Sequence, residues 1–123
     1  MSGAARSVVA FGVYCVAVGL VLIAAPNLLL AAVGRPPTGE PYIRVLGVVV
    51  LVLGLYYLAA ARAEATGFFR WTTWGRPVVF AVFVILVLLG LAPPVLILFG
   101  VIEAAGALWT AWALRRPADP RTG

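Results

Sequence analysis

The chain has 123 residues, 64% of them hydrophobic and 11% charged, with nine cations against four acids, a net charge of +5 and a mean hydropathy of +1.12. A soluble domain of this size is roughly 45–50% apolar and about a quarter charged, so this composition excludes an ordinary soluble fold and leaves room for one domain. All nine cations are arginine and they are scattered between apolar runs rather than gathered in a patch, which points to membrane flanks and away from nucleic acid.

The first apolar run follows Arg6 and continues from Val8 to Ala25, longer than the ~7–15 residues of a secretory core segment. It is expected to be retained as a first span, about residues 7–26, interrupted by Pro26-Asn27. Leu28 to Val33 is apolar but too short to cross, and Gly34-Arg35-Pro36-Pro37 ends it. A second span is predicted over about 42–62, with Arg44 just inside its start. Between Arg76 and Arg115 lie 38 residues with one charge, Glu103, broken by Leu91-Ala92-Pro93-Pro94. As continuous helix they would extend ~57 Å, against a hydrocarbon core of ~30 Å, so they read as a hairpin. Arg76 to Leu91 alone is short for a crossing, so the third span is expected to start near Phe69 to Trp74, at about 70–91, with Pro77 tolerated inside it. The fourth is predicted over about 94–114. A single domain over residues 1–116 is then followed by a disordered tail at 117–123.

The expected fold is therefore an all-α integral membrane four-helix transmembrane bundle with both termini inside, N-in/C-in. That orientation puts Arg6, Arg62, Arg70, Arg76, Arg115, Arg116 and Arg121 on the inner side and only Arg35 and Arg44 on the outer, a clear positive-inside bias. Trp71, Trp74, Trp109 and Trp112 all fall at the inner boundary, where indole rings prefer the headgroup level and act as anchors; a ligand cage is the alternative use.

Helices in lipid associate through small residues that permit close approach. Gly12 and Gly19 are seven apart in the first span, Gly47 and Gly54 seven apart in the second, and each pair lies on one helical face. Both segments read Gly-x6-Gly-Leu, which suggests that the two faces pack together. In the fourth span Glu103 lies between Gly100 and Gly106, with Ala107 and Thr110 on the same side, so its carboxyl is expected to point into the bundle.

The chemical inventory is narrow. There is no His, so Ser-His and Cys-His nucleophile systems and histidine metal sites are excluded. The acids are three Glu and one Asp, and no two share a helix face. Cys15 is single and lies in an apolar run, as does Tyr14; packing is the plain reading of both, with Tyr14 kept as a binding candidate. No catalytic residue, metal or cofactor is expected. Glu103 remains, ~13 Å below the outer end of its span, where an unpaired carboxylate is costly. Arg44 is its natural partner across the bundle by depth, and the pair with Thr110 completes the set of candidate functional residues.

The four-span plan, Pro26-Asn27-Leu28-Leu29-Leu30, Arg44-x-x-Gly47 and Gly90-Leu91-Ala92-Pro93 together resemble the DoxX-like group of small four-helix bacterial membrane proteins. The resemblance implies a bacterial inner or plasma membrane location, and some members of that group accompany oxidoreductases or act near quinones. It carries over no catalytic residue. The small multidrug exporters share the size and span count, but their essential Glu lies in the first span, and here that span has no acid. Two functional readings follow. One is a non-enzymatic structural or accessory membrane module, with a lipophilic molecule held between helices among its roles and a homo-oligomer or membrane partner subunit as company in the bilayer. The other is a small proton-coupled transporter using Glu103.

Overall fold

The computed structural model describes residues 1–116 and is all-α: α1 (Gly3–Ala24), α2 (Pro26–Ala32), α3 (Tyr42–Arg62), α4 (Thr66–Leu88) and α5 (Val95–Arg115). The tail at 117–123 lies outside the described residues. All but the seven-residue α2 are long and apolar enough to cross a membrane, the make-up of a multi-pass membrane protein. At ~1.5 Å per residue these four helices are roughly 31–35 Å long.

The helix ends follow from local chemistry. The Ser2 hydroxyl accepts the Ala5 N–H at 3.0 Å, capping α1 so that it starts at Gly3, ahead of the residue 7 expected from the charge at Arg6. Ala25 precedes a proline and takes a non-helical conformation (φ −146°, ψ 65°), which stops α1, and Pro26 then opens α2. α2 and α4 end on left-handed glycines, Gly34 (φ 74°) and Gly90 (φ 72°). In both, the following N–H reaches back five residues, Arg35 to Leu30 at 2.7 Å and Leu91 to Leu86 at 2.9 Å, closing the Schellman arrangement. The end of α3 is built the same way, with Ala65 N–H to the Ala60 carbonyl at 3.0 Å, but its left-handed residue is Glu64 (φ 51°). A non-glycine side chain there is disfavoured, which draws attention to what that carboxylate does.

α4 begins at Thr66, earlier than the predicted 70, and ends at Leu88, short of 91. Pro77 sits inside it. Ten residues of α4 therefore precede Arg76, which is part of the helix and not a loop cation.

The chain divides into two compact units, Met1–Val8 with Ala60–Gly123, and Val9–Ala59. In the first, α4 and α5 form a hairpin. Gly100 of α5 rests against Phe80, whose ring would stand 2.8 Å from a Cβ at that position. The start of α1 packs on this hairpin, with Gly3 beside Ala113. In the second, α1 and α3 run against each other through their glycines. A Cβ on Gly12 would lie 3.1 Å from the Gly54 carbonyl, and one on Gly54 would lie 2.8 Å from that of Gly12. Gly19 and Gly47 repeat the relation at 2.8 and 2.9 Å. The reciprocal pairs are seven residues apart on both helices, so two antiparallel backbones touch along two turns with no side chain between them.

Candidate functional site

The most buried polar side chains of the described residues lie in the first unit. α4 turns Phe69, Thr72 and Arg76 to the same face, three and four residues apart, and all three are buried. Arg76 is only 3% exposed although it carries a charge. Its Nη2 donates to the Thr72 hydroxyl at 3.0 Å and to the Thr110 hydroxyl of α5 at 2.8 Å, and its Nε donates to the Thr72 carbonyl at 3.3 Å. Folding the guanidinium back onto its own preceding turn shortens its reach, and the hydroxyl on α5 supplies the acceptor that a membrane interior lacks. Such bonds to a charged donor are worth about 1.5–3 kcal/mol each, against the several kcal/mol of desolvating an ion.

Thr110, fully buried, carries the cluster onward. Its oxygen is 2.7 Å from the Ser7 hydroxyl of α1 and 3.1 Å from the Gly106 carbonyl, while Ser7 is also 2.7 Å from the Ala4 carbonyl. Two hydroxyl protons thus serve three acceptor contacts. Either Ser7 donates to Thr110 and Thr110 to Gly106, or Thr110 donates to Ser7 and Ser7 to Ala4. In both arrangements Thr110 still accepts from Arg76. Along the helices Ser7 lies ~6 Å from the start of α1, Thr110 ~7.5 Å from the end of α5 and Arg76 ~15 Å from the start of α4. The cluster therefore joins three helices toward one end of this unit.

Glu103 is half-buried on the α5 stripe that also carries Gly100, Ala107 and Thr110, seven residues from Thr110 and so nearly in line with it. The cation whose field reaches its carboxyl is Arg76. Arg44, which depth along the spans had suggested as its partner, is engaged within its own unit: its Nη1 donates to the Ile23 carbonyl. That carbonyl belongs to the last turn of α1, where backbone oxygens lack helical partners and a cation is favoured. Tyr14 stands beside Phe11 (ring centroids 5.6 Å apart), which in turn meets Tyr57 edge-on at 5.5 Å. Gly106 enters through its carbonyl, as the acceptor of Thr110. Trp71, Trp74, Trp109 and Trp112 are exposed at the same end of the first unit, the first two by 76% and 74%. Among the described residues no three His, Cys, Asp or Glu side chains come together as metal ligands.

Sequence reasoning included Thr110 but missed Ser7, Thr72 and Arg76. The available signal was the spacing Phe69-x2-Thr72-x3-Arg76, one helical face, which is visible only once α4 is allowed to begin at Thr66.

Beside this cluster the Glu64 carboxylate accepts both the Ser2 N–H and the Ser2 hydroxyl, each at 2.7 Å. The hydroxyl bond, then the backbone bond, holds this carboxyl below the ordinary range. The group binds its proton less readily folded than unfolded, so its contribution is present at neutral pH and is lost as acid protonates it. Glu64→Gln should therefore melt below the parent at about pH 7, and the gap should close as pH falls to about 3. A gap constant across that range would mean that the carboxylate is not what ties Ser2 down.

No protein-family model, curated protein or solved structure matches the chain.

Proposed function

We propose that the chain is a non-enzymatic four-helix membrane module with both termini cytoplasmic, structural or accessory in role. The observation that carries this reading is that the buried polar side chains close on one another. Arg76 donates to Thr72 and Thr110, and Thr110 pairs with Ser7, so these groups are engaged in tying three helices together. The residues of α5 on the far side of Glu103, Val95 to Ile102, are all apolar or glycine. A carrier needs polar, water-accessible groups leading to its acid. The absence of His from the sequence and its four widely spaced acids support a role without bond-making chemistry.

The orientation rests on the arginines. With Arg76 set aside as buried within α4, Arg6, Arg62, Arg70, Arg115, Arg116 and Arg121 still stand against two, Arg35 and Arg44. The resemblance to the DoxX-like group is in keeping with a bacterial plasma membrane and with service to a partner subunit or a second copy. The exposed apolar face of α3 that carries Val48, Val49, Leu53 and Tyr56 is in keeping with contact with lipid or another lipophilic molecule. The proton-coupled alternative draws on the half-buried Glu103 beside Arg76.

Proteoliposomes enclosing a pH-sensitive dye separate the two. Parent and Glu103→Gln should both dissipate an imposed pH gradient no faster than empty vesicles. Flux in the parent that is lost in Glu103→Gln would replace the accessory reading with a transporter. On intact cells a membrane-impermeant maleimide should label Thr38→Cys and leave Ser2→Cys unlabelled.

A further inference from the structure

The end of the first unit that holds the starts of α1 and α4 and the end of α5 carries several unneutralised cations. Arg6, Arg62, Arg70, Arg115 and Arg116 are all exposed there. None of them forms an ion pair or a side-chain hydrogen bond among the described residues. The one described carboxylate at this end, Glu64, is occupied by Ser2. Arg116 alone has a fixed station, its guanidinium 4.5 Å above the ring of Trp112.

The indoles and the arginines are arranged by depth. Arg115 and Arg116 close α5, while Trp112 and Trp109 lie ~4.5 and ~9 Å further in. On α4, Arg70 lies ~6 Å from the helix start, with Trp71 and Trp74 at ~7.5 and ~12 Å. Trp74 follows Arg70 by one turn on the outward face, opposite the buried Phe69, Thr72 and Arg76. Cations outermost with exposed indoles just beneath match a phosphate above its glycerol esters. A soluble acidic protein meeting the outermost cations would leave the deeper indoles bare.

We infer that this end is a docking surface for anionic phospholipid headgroups, with the arginines of α4 and α5 taking the phosphate and Trp71, Trp74, Trp109 and Trp112 packing on the ester region. The inference rests on the membrane reading above but not on whether the protein conducts protons. Zwitterionic lipids present the same phosphate with a cation attached, so discrimination comes from the sum of unpaired arginines. Each arginine near an anionic surface contributes roughly fivefold to the preference.

Native mass spectrometry of the full chain with equal phosphatidylglycerol and phosphatidylcholine tests it. The parent should retain mainly phosphatidylglycerol. Arg70→Gln/Arg115→Gln/Arg116→Gln should lose the preference, and the matching triple lysine variant should keep it, since the ammonium still binds phosphate as a point charge. The three positions are exposed and away from the Arg76 cluster, and retention of parental melting by the lysine variant controls for folding. Equal retention of both lipids by the parent, or an unchanged preference in the glutamine variant, would overturn the assignment. So would displacement of the lipid by inorganic phosphate at equal concentration, which would identify a free anion as the ligand.

Discussion

Alanine at Gly19 should lower the melting temperature of the protein in detergent by several degrees, and leucine at Gly47 or Gly54 should lower it further. The reason is what a side chain would meet. A Cβ on Gly19 would lie 2.6 Å from the Leu51 nitrogen and 2.8 Å from both the Gly47 carbonyl and the Leu51 Cα; on Gly54 it would lie 2.8 Å from the Gly12 carbonyl and the Val16 nitrogen. These are backbone atoms of a facing helix and cannot rotate away, so α1 and α3 must separate and forfeit their packing. Overpacking of this kind costs about 1–3 kcal/mol, and leucine, with three more carbons to place, sits at or beyond the upper end. The matched controls are Gly67→Ala and Gly75→Ala in α4, where nothing lies within 4 Å of the new methyl. Those two should hold or raise stability by about 0.5–1 kcal/mol, because glycine is a poor helix former. If Gly19→Ala melts with the parent while the controls behave as stated, the two backbones do not touch in the folded protein.

The glycine contacts show what a single segment can reveal. Seven-residue spacing is local, so it could be read from either helix alone, and the reciprocal pairing of Gly12 with Gly54 and of Gly19 with Gly47 needs only that the helices be antiparallel. The all-α membrane class was legible for the same reason, since apolar length is a property of each run. What was not legible depends on partners elsewhere in the chain. Arg76 reads as a boundary charge because an arginine inside a span is expensive; the acceptor that makes it tolerable, Thr110, is 34 residues away on another helix, and the hydroxyl supporting Thr110 is Ser7, 103 residues away. Helical phase placed Glu103 on the Thr110 stripe but could not say which cation would reach it. Depth along the spans favoured Arg44, whose guanidinium instead goes to the free carbonyl at the end of α1, a local claim that a wheel diagram does not contain. The starts of α1 and α4 moved for a related reason: Ser2 and Thr66 lie outside the apolar runs, and helices extend past those runs wherever a cap or a buried partner supports them.

Thr110→Val should be among the most harmful single changes in the first unit, and adding Arg76→Met should recover most of the loss. Valine keeps the shape of threonine and replaces its hydroxyl with a methyl, so little is lost in packing. What is lost is the acceptor of the Arg76 Nη2 bond and the partner of Ser7. A buried charged group deprived of an acceptor costs about 3 kcal/mol, more than the net worth of the bond itself. Methionine at position 76 removes the charge while filling much of the same volume. Thr72 then keeps its own bond to the Phe69 carbonyl (2.8 Å) and Ser7 keeps its bond to Ala4, so the double variant strands nothing. Glu103→Gln asks whether the half-buried Glu103 on the Thr110 stripe acts on Arg76 as an anion: if it does, the change costs stability in the parent background and almost none beside Arg76→Met. Thermal unfolding of the four combinations at positions 76 and 110, with the Glu103→Gln arm in each Arg76 background, measures both couplings. The decisive quantity is the sign of the first one. If the cost of Thr110→Val is the same or larger beside Arg76→Met, Thr110 does not serve the guanidinium, and an unchanged cost marks the cluster as a set of separate contacts. If that cost is smaller beside Arg76→Met, Thr110 is there to make a buried guanidinium tolerable, and the reason for retaining that guanidinium is to fix how α1, α4 and α5 meet.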